Sequence, residues 1–182
     1  MLKVLMAAAV TTLLAATGAN SAEKPKLNDA QIADIAYTAD TIDINAAKQA
    51  LEKSHNIDIR MFAQEMVADH TAVNDKATAL LKKLGVMPEP NATSKSLSDA
   101  AKTKLNEFAR LSGERFDRSY INNEVAFHKT VNDALRSTLL PEAQNSELKN
   151  LLQSGLKLFE MHQMHAEEIA GDFNKRNVQA NR

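Results

Sequence analysis

The side chains best equipped for chemistry in this 182-residue sequence are its five histidines, with no cysteine beside them. His70 continues the face of Phe62 and Met66 and precedes Val73 and Ala77, which points it into a helical bundle. Asp117, Ile121, Glu124, His128, Val131 and Leu135 recur at spacings of three or four, so Glu124 and His128 form an i, i+4 pair on one inward face. His162 falls between Phe159 and Ala166, with His165 one turn later. Imidazole suits zinc, copper, iron and nickel. The candidate metal ligands are therefore His70, His128 and His162, with Asp43 or Glu124 completing or orienting the set and His165 close behind. The competing reading is a hydrogen-bonded core without metal, because buried polar groups are rarely left unpaired. Met161, Met164 and Met66 add a softer variant, in which thioether sulfur and imidazole would hold copper(I), although helical methionine is more often core filler.

The elements that must position these residues are helices. Asn28-Asp29-Ala30-Gln31 has the form of a capping box and opens a run of Ile32, Ile35, Ala39, Ile42 and Ala46 that should reach about Ser54. A second helix should begin near Asp58, carry Phe62 to Leu84 on one face and stop at Gly85, with Pro88 beyond. From Gly85 to Ser98 the composition turns to Pro, Gly, Ser, Thr and Asn. Ser96-Leu97-Ser98-Asp99 then opens a short helix ending near Leu111. A third long helix should span Glu114 to about Leu139, and a last one the stretch from Asn145-Ser146 to about Asn174.

Two hairpins joined by a segment with its own short helix predict an all-α, ferritin-like four-helix bundle with a short extra helix in the crossover. His70, His128, His162 and Asp43 all lie near the midpoints of these helices. Ligands converge only when they share a level, and reversing a helix leaves its middle in place.

Residues 1–22 read as a secretory signal peptide: Lys3, an apolar run from Val4 to Ala16, and a small polar flank ending at Ala22. Residues 23–182 then form a single helical-bundle domain, periplasmic or secreted. The run is shorter than a spanning helix needs, and no second candidate span follows. Without cysteine, stability must come from an ordinary hydrophobic core. Removing Lys3 from the 22 Lys and Arg leaves 21 against 23 acidic side chains, so nucleic acid is not an expected partner. An envelope protein or a second copy of the chain stays open as a partner.

Enzyme signatures are lacking. Di-iron carboxylate bundles need Glu-x-x-His on two helices plus two further glutamates, a pattern the long helices do not supply. No Gly-x-Ser-x-Gly, His-Glu-x-x-His or Walker loop occurs, and there is no thiol nucleophile. A general-base role for His70 or His128 lacks a partner nucleophile.

Ala50-Leu51-Glu52-Lys53, Phe62-Ala63-x-x-Met66-Val67-x-Asp69-His70, Phe116-Asp117-x-x-Tyr120 with His128 downstream, and Leu156-x-x-Phe159-x-x-His162 resemble the bacterial exported domain-of-unknown-function 4142 family over about residues 30 to 172. The resemblance implies a ferritin-like bundle in the periplasm or associated with the outer membrane, and no established activity. Where that family has Glu in its first helix, this chain has Asp43.

Overall fold

The computed structural model describes residues 26–180, with only helices among them. The signal-peptide expectation for residues 1–22 lies outside the described residues. Helix α1, Asp29–Lys53, starts at the expected capping box: Asn28 Oδ1 accepts from the Gln31 amide at 2.8 Å, and Gln31 Oε1 accepts from the Asn28 amide at 3.2 Å. Helix α2, Ile57–Leu84, is capped by Asn56 and ends at Gly85, whose φ of +66° is a left-handed conformation that favours glycine. Helix α4 begins at Gly113 and runs to Ala134, then continues through a π-helical stretch, Leu135–Leu139, into a last turn, Leu140–Glu142. Pro141 has no amide hydrogen to donate and its ring crowds the preceding turn, which accounts for the widened helix just before it. Helix α5, Ser146–Ala180, starts where Asn145 Oδ1 accepts from the amides of Glu147 and Leu148.

The crossover helix differs from the sequence expectation. Helix α3 covers Ala92–Ala109 and starts before Ser96. Asn91 supplies the cap, accepting from the amides of Thr93 and Ser94, while the Ser94 hydroxyl accepts from the Asn91 amide. The Ser/Thr-rich stretch that looked like loop is the first turn of an exposed helix, where such residues are tolerated once the cap is made. Helix α5 also continues past the expected end near Asn174.

Paired contacts give the directions. Asp40 meets His70 and the Leu51 carbonyl meets Arg60, so α1 and α2 are antiparallel. Asp69 meets His162 while Lys83 meets Glu147, and Asn132 meets Gln163 while Arg118 meets Phe173, so α5 runs against both α2 and α4. Helix α3 lies along α1 in the same direction, with Asn91 at Gln31 and Leu105 at Gln49. The result is an up-down-down-up bundle with one crossover connection that runs the length of the molecule. At one end Asp29 accepts from the amides of Gln144 and Asn145, and Glu142 accepts from the Leu27 amide, tying the first helix to the second hairpin's turn.

The interior has three zones. Ala46, Ala47, Ala50, Phe62, Met66, Phe116, Tyr120 and Ile169 belong to one apolar cluster. Ile32, Ile35, Leu135, Leu139, Leu148, Leu152 and Phe159 belong to the other. Between them along each long helix sits a buried polar layer of Asp40, Asp43, His70, Asn74, Glu124, His128, Asn132 and His162. Among the described residues no helix is long and apolar enough to cross a membrane.

Candidate metal centre

Each long helix places its contribution to the layer near its middle, flanked by apolar turns that hold the polar side chain in. His70, His128 and His162 are each at most 2% exposed, and Asp43 and Glu124 are 1% exposed. The three imidazoles pack against one another with ring centres 5.3 to 5.7 Å apart. One nitrogen from each lies within 4.8 Å of the others, and Asp43, Glu124 and His128 form a second such group.

The two nitrogens of each ring have different surroundings. His70 Nδ1 is 2.7 Å from Asp40 Oδ1, His128 Nδ1 is 3.0 Å from the Glu124 backbone carbonyl, and His162 Nε2 is 3.0 Å from Asp69 Oδ2. The other nitrogen of each, His70 Nε2, His128 Nε2 and His162 Nδ1, is buried without a hydrogen-bond partner, as are both oxygens of Asp43 and Glu124 Oε2. Asp43 Oδ2 stands 3.2 Å from His70 Nε2 and 3.4 Å from His128 Nε2, close charge contacts that are not aligned as hydrogen bonds. Because a carbonyl oxygen only accepts, His128 Nδ1 carries the ring proton, and in the neutral ring Nε2 is a lone pair directed toward the Asp43 carboxylate. Two acceptors that close require a cation or a proton between them.

The electrostatics divide the charges unevenly. Burial pushes the His128 pKa down to about 4, so this ring is neutral. Burial would also depress His70, but the charge of Asp43 and the hydrogen bond that Nδ1 donates to Asp40 outweigh it and raise its pKa to about 10. Burial acting alone would raise Asp43, yet the three surrounding imidazoles hold it below the usual carboxylate range. Glu124 goes the other way, raised well above the usual carboxylate range by burial and then by the charge of Asp43. His162 is depressed by burial against the opposing pull of Asp69. In the absence of a metal, therefore, the His70 proton is the cation of the layer.

His165, expected beside His162, is not brought into this group: its Nδ1 pairs with Glu65 Oε2 at 2.9 Å, both side chains 41% exposed, and its ring packs edge-on against Phe62. Nor do the methionines converge. Met161 and Met164 are exposed, and Met66 belongs to the apolar cluster. The chain's single Glu-x-x-His, Glu52 to His55, runs off the end of α1 with both side chains exposed, so it leaves the interior without a di-iron motif. Asp40 and Asp69, which orient His70 and His162, escaped the sequence reading. The signals were present in the Asp40/Asp43 spacing of three and in the Asp69-His70 adjacency, but an acid one residue from a predicted ligand is ordinarily solvent-facing.

Fold and site together define a one-crossover helical bundle with a histidine and carboxylate layer that could hold a metal ion. The model of the family described as Domain of unknown function (DUF4142) matches residues 14–169, and the chain belongs to that family. No curated protein and no solved structure matches it.

Proposed function

We propose that this is an exported, non-enzymatic envelope protein that holds one divalent transition-metal ion, ligated by His70 Nε2, His128 Nε2, His162 Nδ1 and Asp43 Oδ2. The observation that carries the reading is the set of four buried donor atoms without partners, two of whose separations are 3.2 and 3.4 Å. At metal bond lengths of about 2.0–2.1 Å, neighbouring ligands of a tetrahedral ion stand about 3.3 Å apart. A hydrogen-bonded core would have used these same atoms on one another. Asp40, Asp69 and the Glu124 carbonyl serve as the outer acceptors that metal-bound histidines characteristically have.

Zinc suits the tetrahedral edges and the mixed N/O donors best, while copper, iron and nickel share the preference for imidazole. Four protein ligands leave no open position for a substrate, which favours storage, buffering or stress protection over turnover. The leader-like residues 1–22 support export to the periplasm. Elemental analysis of protein purified without chelator, or reconstituted with zinc, copper, iron or nickel, should find one ion per chain in the wild type and none in His128→Gln. Failure of every metal to bind the wild type would refute the assignment.

A further inference from the structure

The second apolar cluster does not fill its end of the bundle. A cavity of about 200 Å³ opens there, mostly enclosed, with walls contributed by all five helices. Its lining is almost wholly apolar, and small side chains create the room: Ala33, Ala36, Ala39, Ala77, Ala134 and Gly155. Asp40 is the one charged residue in the wall, and its Oδ1 is engaged by His70 Nδ1 at 2.7 Å. Thr93 and Thr130 also line it, both at exposed positions, and the Thr130 hydroxyl is directed to the Ala126 carbonyl. Water needs two to four polar partners to settle in such a space, and a cavity without them stays dry. An engineered apolar cavity of about 150 Å³ in another helical protein is large enough for benzene.

We propose that this cavity is a binding site for a small uncharged apolar molecule, a single aromatic ring or a short alkyl chain, selected by shape and dryness rather than by hydrogen bonds. The site is distinct from the metal ligands but touches their support. Phe159 lines the cavity and stacks on the His70 ring, with centroids 4.6 Å apart and planes 17° apart. Asp40 lines it too and orients the same ring. A bound guest thus rests against Phe159 and Asp40, the two residues that stack on and orient the His70 ring.

The experiment uses metal-free protein in EDTA, so its outcome does not depend on the metal assignment. 1-Aminoanthracene, an uncharged fluorophore, should brighten on binding and be displaced by benzene or n-hexanol. Ala77→Leu and Ala36→Leu, which place larger side chains in the void, should each weaken binding at least tenfold without lowering the thermal midpoint. In NMR spectra of the wild type, benzene should shift the Phe159 and His70 ring resonances and leave those of His165 unmoved. This second measurement decides the matter if the filled variants fail to fold. No fluorescence change with the wild type, equal binding by folded filled variants, or shifts that bypass Phe159 would each overturn the proposal.

Discussion

His128 shows how much one hydrogen bond determines. By donating Nδ1–H to the carbonyl one turn earlier, it turns a bare Nε2 lone pair toward Asp43. The outer acceptor matters as much at His162, where Asp69 is hydrogen-bonded to Nε2 while Nδ1 faces inward. Asp69→Asn should therefore weaken metal binding by roughly 10- to 100-fold while keeping one ion per chain, as loss of such partners does elsewhere. Competition titration against a chromophoric chelator measures this, and an unchanged affinity would show that Asp69 is only a surface acid.

The same residues give the metal-free protein a pH signature. His70 has its folded pKa raised to about 10 from 6.5, so its contribution to stability is complete below pH 6.5 and is lost as pH rises through about 10. His128, lowered from 6.5 to about 4, contributes above pH 6.5 and loses that contribution as pH falls toward 4. Urea midpoints of metal-free protein should decline on both flanks. His70→Gln should flatten the alkaline decline and His128→Gln the acid one; flanks that persist unchanged in these variants would contradict the assignments.

At the scale of elements, the ends of the helices carry the information that the sequence states most directly. Asn28 with Gln31 and Gly85 occupy the positions expected of them because a cap is a local transaction, complete within three or four residues. Asn28→Ala should cost about 1 kcal/mol. Gly85→Ala, forced into a φ of +66°, should likewise cost about 1 kcal/mol. Thermal or denaturant unfolding of each variant checks both values. The start of α3 was legible only in part, because Asn91 caps a turn made of Thr and Ser, residues that serve equally well in loops. The π-helical stretch before Pro141 was not legible: a proline says that a helix must adjust, and the packing of Leu135 and Leu139 in the second apolar cluster accompanies an adjustment that continues the rod instead of ending it.

Across the whole molecule, the polar layer divides one core into two, and the proposed ligands come from α1, α2, α4 and α5. A bound ion would therefore cross-link both hairpins at mid-height. Metal at a hundred times its Kd should stabilise the fold by about 2.7 kcal/mol, since an ion that binds only the folded state adds its binding free energy. The thermal midpoint should rise with metal and fall back with EDTA. A midpoint indifferent to both would mean that the layer holds no ion.

The sequence by itself determined the helices, their order and the level at which inward imidazoles and carboxylates lie, because helical periodicity and caps are short-range properties of the chain. Only the tertiary structure decided which of those groups meet. His165 shares the helix of His162, but three residues of helix turn a side chain about 60° off the original line and move it about 4.5 Å along the axis. That offset suffices to take it from the layer to Glu65 at the surface. Asp40 shares the layer with Asp43, three residues away, because α2 sets His70 between them. Whether a residue at the margin of a face points in or out depends on how the neighbouring helix is rotated, and no single helix encodes that.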